Sequence, residues 1–179
     1  MKVVFLDRDG VINRYPGDSL YVTNLDSFSF LPRAKKGITL LGKEGFKIFI
    51  VSNQAGVGKG IYNQKILDNI TAKMLEDIKL GGGSIEKVYY CTHQKDIDCS
   101  CHKPKPGMLE QAAKEFKFNL KKAYFIGDSI IDVLTAHAVG CKSILVLTGR
   151  EKLANRKNWE ANPDFIFDDL FEAAKFLAY

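Results

Sequence analysis

Short apolar runs recur along the chain at Val3–Leu6, Lys47–Val51, Lys87–Cys91, Ala123–Ile126, Ser143–Leu147 and, more weakly, Asp164–Phe167. Each is rich in β-branched or aromatic residues and bounded by polar or glycine positions, the pattern of a buried strand. Between them the apolar positions change to helical spacing. Pro32 fits a first helical turn, opening a helix that runs to Gly45. Gln64–Leu80 places Ile66, Leu67, Ile70, Met74, Leu75 and Ile78 on one side and is stopped by Gly81-Gly82-Gly83. Met108–Phe118, Ile130–Val139 and Leu170–Leu177 complete the helices. Strand alternating with helix predicts an α/β fold with a doubly wound, mainly parallel, Rossmann-like sheet.

Three segments fall outside the alternation: Asn13–Phe30, Asn53–Asn63 and Thr92–Gly107. Long loops in a compact fold are usually functional. None is long enough to carry a separate cap or to link two domains, so residues 1–179 read as one domain. A net charge of +5 favours an anionic partner, but the lysines are scattered rather than blocked. That distribution suits a small phosphorylated molecule better than nucleic acid. No apolar run approaches the roughly 18 residues of a membrane span, and Val3–Leu6 stops too soon at Asp7 for a signal peptide. A cytoplasmic monomer is expected.

Chemistry-bearing residues gather where strands end. Asp7-Arg8-Asp9-Gly10 follows the first strand and Ser52-Asn53 the second. Gly127-Asp128 follows Tyr124-Phe125-Ile126, with Asp132 one helical turn later, and Lys103 lies in a Pro/Gly-rich turn before the Met108 helix. Two carboxylates alternating at a strand end are a poor structural stop. They are well placed for a metal ion and a nucleophile at the carboxyl edge of a parallel sheet. A single such residue would pass for a turn or a helix cap; the ordered set does not.

The loop before Lys103 holds a second cluster, Cys91-Thr92-His93 and Cys99-Ser100-Cys101. Three thiolates and an imidazole match a tetrahedral structural Zn²⁺ site with no open position. A cytosolic chain disfavours disulfides, and a Cys99–Cys101 bridge would be strained. The metal would stiffen the loop and so position Lys103. Cys141 reads as a buried core thiol and His137 as a packing or surface residue.

The ordered set of Asp7, Asp9, Ser52, Lys103 and Asp128 resembles the haloacid-dehalogenase-like phosphohydrolases over essentially the whole chain. The resemblance implies that Asp7 attacks phosphorus to form an aspartyl-phosphate. Asp9 would protonate the leaving oxygen and then activate water, which like charges around it would favour. Ser52 and Lys103 would bind the phosphoryl oxygens, and Mg²⁺ would be held by Asp7, Asp128 and the backbone carbonyl of Asp9. Asp132 would partner Lys103 or a metal-bound water. The cation and the ammonium are needed because a carboxylate and a phosphate dianion otherwise repel.

The zinc loop narrows the resemblance to two capless branches, one acting on heptose 1,7-bisphosphate and one on histidinol phosphate. Ser52-Asn53-Gln54-Ala55-Gly56-Val57-Gly58-Lys59-Gly60, Lys103-Pro104-Lys105-Pro106-Gly107-Met108 and Thr148-Gly149 favour the heptose branch. Asn53, Gln54, Lys59, His102 and Lys105 are then candidates for gripping the sugar or its second phosphate. Gly56, Gly58 and Gly60 are expected to shape the turn rather than to bind. His102 departs from both branches, which carry Arg there. An arginine offers a permanent bidentate grip, and a histidine at most one pH-dependent contact. Two weaker alternatives are a polynucleotide 3′-phosphatase, opposed by the lack of an aromatic and basic cluster, and an inactive interaction module, opposed by the complete motif set.

Overall fold

The computed structural model describes residues 1–179. Six strands form one sheet, β1 (Lys2–Leu6), β2 (Phe46–Asn53), β3 (Lys87–Cys91), β4 (Ala123–Gly127), β5 (Lys142–Val146) and β6 (Phe165–Phe167), in the order β3-β2-β1-β4-β5-β6. Every pairing is parallel, so the mainly parallel sheet read from the sequence is wholly so. The five helices are α1 (Ala34–Lys43), α2 (Gln64–Leu80), α3 (Gly107–Phe116), α4 (Ile130–Ala138) and α5 (Leu170–Ala178).

Alternation along the strands builds two cores. Val4, Leu6, Ile48, Ile50, Ile126 and Val146 face α1, α2 and α5, where they meet Ile38, Leu41, Met74 and Ala173. Val3, Phe5, Phe49, Val51 and Phe125 face the other side with Leu109, Ala112 and Ala136. Both faces of the sheet are therefore covered by helices, which is why the strands read as continuous apolar runs.

Helix and strand positions match the sequence reading except at ends. β2 extends to Asn53, so Ser52 and Asn53 are the last residues of the strand rather than the turn after it. Pro32 lies before the helix, not in its first turn. Arg33 has φ of 62°, and α1 opens only at Ala34. Arg33 is held there by α5: its Nε donates to Asp169 at 3.0 Å and its Nη1 to Glu172 at 2.9 Å. Lys117, at φ of 55°, ends α3 before Phe118. Short 3₁₀ turns at Leu120–Lys122 and Leu153–Asn158 have no periodicity from which to read them.

The edge of the sheet is pinned by Asp164. Its carboxylate accepts from Lys142 Nζ at 2.8 Å and from the N–H and hydroxyl of Ser143, each at 2.9 Å. Burial alone would raise this carboxyl, but those donors outweigh it and hold it at about 2. A folded value below the unfolded one means the stabilisation is complete above about pH 4 and lost as pH falls towards 2. Asp164 is exposed, so solvent screens these contacts; Asp164→Asn is accordingly expected to lose about 1 kcal/mol at neutral pH and to flatten the acid limb of a urea-unfolding profile. An unchanged acid limb would contradict this role.

Candidate active site

The strand order reverses at β1, whose neighbours are β2 and β4. Loops leave such a point in opposite directions and open a crevice at the carboxyl ends. Asp7 stands there directly after β1 and is buried, as are Ser52, Lys103, Asp128 and Asp132. Lys103 Nζ lies 3.1 Å from Asp7 Oδ1 and 2.6 Å from Asp132 Oδ1, and it donates to the Val51 carbonyl at 3.2 Å. Asp132 Oδ2 accepts from the Ser129 hydroxyl at 2.7 Å. Asp132 is thus the partner that fixes the lysine. Asn53 clasps the lysine backbone, accepting from Lys103 N at 3.0 Å and donating to its carbonyl at 3.1 Å.

Asp128 is enclosed by glycines. A Cβ on Gly10 or Gly149 would overlap its carboxylate, and the Arg150 N–H donates to Oδ2 at 2.7 Å. Ligand oxygens of Asp7, Asp128 and Asp132 all lie within 4.8 Å of one another. Burial pushes Asp7 up to about 6, with Lys103 opposing and Asp132 adding to the rise. Burial and the same neighbouring carboxylates push Asp128 well above the usual range. Three buried carboxylates against one ammonium leave an excess of negative charge that a cation would relieve. The all-oxygen donor set fits Mg²⁺.

Asp9 is turned to a different set of partners. Its Oδ1 accepts from Arg8 Nε at 3.2 Å, Arg8 Nη2 at 3.0 Å and Asn13 Nδ2 at 2.8 Å. Its Oδ2 accepts from Arg8 Nη2 and Gln54 Nε2, both at 3.0 Å. The anions expected around Asp9 are replaced by donors, because the turn after β1 folds Asn13 back beneath it through the 2.7 Å bond from Gly10 N to the Asn13 carbonyl.

In the cysteine loop the four predicted ligand atoms converge. The sulfur separations are 3.1, 3.5 and 3.8 Å, and His93 Nδ1 lies 3.3 Å from Cys101 Sγ and 3.8 Å from Cys91 Sγ. With Zn–S bonds of about 2.3 Å, the edge of a tetrahedral site is about 3.8 Å; the observed separations are equal to or shorter than that, so the cluster would open slightly to hold zinc. Burial pushes the Cys91 thiol up to about 12. Burial also acts against Cys99, but the His102 N–H and the side chains of Cys101 and His93 overcome it and hold that thiol at about 6. All four cysteines are free of disulfides. The loop braces its neighbour: Gln54 N donates to the Cys91 carbonyl at 2.7 Å, and Gly58 N to the Thr92 carbonyl at 3.0 Å. A Cβ on Gly58 would strike that Thr92 oxygen.

Above Asp7 and Asp128 lies a cavity of about 340 Å³. Asp9, Ser52, Asn53 and Lys103 share its lining with Tyr15, Asp18, Lys59, Lys95, His102 and Arg150.

A HAD-hydrolase-like family model matches residues 100–173. A D-glycero-beta-D-manno-heptose-1,7-bisphosphate 7-phosphatase from Pseudomonas aeruginosa is 36% identical over 175 residues, covering 98% of this chain and 97% of the relative. This chain belongs to the HAD-like phosphatases. A D-glycero-alpha-D-manno-heptose-1,7-bisphosphate 7-phosphatase from Photorhabdus laumondii is 34% identical over 157 residues, 83% of this chain and 84% of the relative. The crystal structure of the D,D-heptose 1,7-bisphosphate phosphatase of B. bronchiseptica, complexed with magnesium and phosphate, superposes with a TM-score of 0.90. It is 31% identical, with 99% of this chain and 98% of that one covered.

Within this HAD-like phosphatase the motif residues Asp7, Asp9, Ser52, Lys103 and Asp128 meet at one cavity. Two candidates for substrate contact do not line it. Gln54 is buried behind Asp9, its amide taken up by Asp9, Ser52 and Tyr62. Lys105 projects from the cysteine loop and pairs with Asp98 at 2.9 Å. Sequence reasoning passed over Arg8, Asn13, Lys95 and Arg150. Arg8 had a signal: a cation between two acids at a buried strand end has no water to face and must find a partner. Arg150 had none, since its place depends on how the loop after β5 returns over Asp128.

Proposed function

We propose that this phosphatase removes the 7-phosphate of D-glycero-D-manno-heptose 1,7-bisphosphate through an aspartyl-phosphate on Asp7, on the route to nucleotide-activated heptose. The observation that carries the reading is the charge layout of one cavity. Buried carboxylates and Lys103 form its floor, while Lys59, Lys95 and Arg150 line its wall. Such a layout suits a substrate with two phosphates, one at the floor for transfer and one retained.

Asp7 attacks phosphorus, and Asp9 delivers a proton to the leaving oxygen and later takes one from water. Ser52 and Lys103 hold the phosphoryl oxygens; Asp132 and Asn53 keep Lys103 in place. Asp7, Asp128 and the backbone carbonyl of Asp9 would hold Mg²⁺, which supplies charge neutralisation of the phosphoryl group. Lys59 and His102, joined by Lys95 and Arg150, take the sugar and its 1-phosphate. Cys91, His93, Cys99 and Cys101 hold a structural Zn²⁺. Residues 1–179 act as one capless domain, a cytoplasmic monomer with no nucleic-acid or membrane partner; no helix is long and apolar enough to cross a membrane.

A steady-state panel tests the substrate: both anomers of the heptose bisphosphate, histidinol phosphate and a 3′-phosphorylated oligonucleotide. The expected result is the highest kcat/KM for a heptose bisphosphate, with the oligonucleotide untouched. A preference for histidinol phosphate would overturn the assignment.

A further inference from the structure

Tyr62 lies outside the cavity lining and every motif, yet it stands two hydrogen bonds from the acid–base carboxylate. Its hydroxyl donates to Gln54 Oε1 at 2.6 Å. Gln54 Nε2 in turn donates to Asp9 Oδ2 at 3.0 Å and lies 3.3 Å from Ser52 Oγ. Both Tyr62 and Gln54 are buried, so no water competes for these bonds.

The two ends of a glutamine amide have nearly the same shape, and only hydrogen bonding decides which faces where. Turned the other way, Gln54 would set its carbonyl oxygen against the Asp9 carboxylate. With Oε1 tied to a phenol, the amino group faces the acid. Burial pushes the Tyr62 hydroxyl up to about 12, so it keeps its proton at neutral pH and remains a donor. Tyr62 is the donor that reaches Gln54 Oε1; Asp9 itself is also held by Arg8 and Asn13 on Oδ1 and by Arg8 Nη2 on Oδ2, so Gln54 sets the direction of a carboxyl that is already anchored.

The chain makes room for this phenol on purpose-built backbone. A Cβ on Gly56 would overlap the rings of Tyr62 and Tyr21, whose centroids are 6.3 Å apart. The loop is also tied down at both sides, through Ile61 N to the Gly56 carbonyl at 2.9 Å and Gly58 N to the Thr92 carbonyl at 3.0 Å.

We propose that Tyr62 and Gln54 are positioning residues for Asp9, a buried phenol–amide relay that aims the carboxyl at the leaving oxygen. The inference rests on the reading above that Asp9 is the general acid. It gives Gln54 a task other than substrate contact, and it explains why the loop after β2 carries a glycine opposite an aromatic pair.

The test uses leaving groups. A sugar or alkyl alcohol must be protonated as it departs, whereas nitrophenolate leaves without help, so a misaimed acid harms the first and spares the second. The readout is kcat/KM, which covers steps up to transfer of the phosphoryl group to Asp7 and excludes later hydrolysis. Tyr62→Phe removes one hydroxyl and keeps the ring. For the best alkyl ester of the panel above, kcat/KM is expected to fall about tenfold, with less than about threefold for p-nitrophenyl phosphate. Gln54→Met, of similar volume, is expected to widen the gap to about a hundredfold on the alkyl ester. Melting curves of both variants establish that they fold. Equal losses on the two esters, or none on either, would overturn the relay. Asp9→Asn run alongside separates the two levels. If it shows the selective loss and Tyr62→Phe does not, the relay alone fails. If Asp9→Asn itself loses both esters equally, the general-acid reading falls and the relay with it.

Discussion

Asp7→Asn is expected to lower kcat by about 10³-fold or more while raising the melting temperature of the metal-free protein. The amide lacks the anionic oxygen that would attack phosphorus, so turnover stops at the first step. The stability change follows from the carboxylate's surroundings. Burial, reinforced by Asp132 and Asp9 against the pull of Lys103, holds Asp7 at about 6 instead of 3.8. A folded value above the unfolded one means that the folded state binds this proton more tightly. Stability therefore declines as pH rises from about 4 to about 6, and the ionised group is a burden at neutral pH. Asparagine removes that burden and leaves Lys103 paired with Asp132 at 2.6 Å. Thermal melts in chelator at neutral pH check the sign, and Mg²⁺ should stabilise the wild type more than the variant. Protons and cation compete for one carboxylate, so wild-type kcat/KM should fall on the acid side, at a pH that moves down as Mg²⁺ is raised. Full phosphatase activity in Asp7→Asn would move the nucleophile elsewhere.

On the proposed zinc site, Cys101→Ser is expected to abolish zinc binding and destabilise the chain by about 3 kcal/mol, on the order of 10 °C in melting temperature. The loop from Thr92 to Lys103 places few apolar side chains in the core, so on the proposed zinc site a crosslink through Cys91, His93, Cys99 and Cys101 would order it. Damage should spread to the active site along named bonds. Lys103 follows the last ligand by two residues, and Gln54 hangs by its N–H from the Cys91 carbonyl. His102 Nδ1 lies 3.6 Å from Cys91 Sγ while its ring lines the cavity. A fall in kcat alongside the thermal loss is therefore expected. Metal analysis of wild type purified without chelator should find one zinc per chain; finding none, or an unchanged melt in Cys101→Ser, would remove the site.

Much of this architecture was legible because its signals are local. Val3–Leu6 and its counterparts are continuous apolar runs, as strands covered on both faces must be, and Gln64–Leu80 shows a helical period with a glycine stop. The motif acids and Lys103 could be read for the same reason: charged groups directly at the ends of buried strands have few other uses. Pro32 misled because the helix start was set by Arg33 reaching across to Asp169, the residue that caps α5, and to Glu172 on α5, contacts 136 and 139 residues away in sequence.

The sequence by itself determined the strand–helix alternation, the residues at the carboxyl ends of the strands and the donor set of the cysteine loop, since composition and spacing carry all three. Only the tertiary structure decided which charges meet. It paired Lys103 with Asp132, turned Asp9 away from the other acids onto Arg8, Asn13 and Gln54, sent Lys105 out to Asp98, and brought Lys95 and Arg150 onto the cavity wall. Hydrogen bonds and ion pairs depend on distances of a few ångströms between segments far apart in the chain, and no local pattern of residues records those distances.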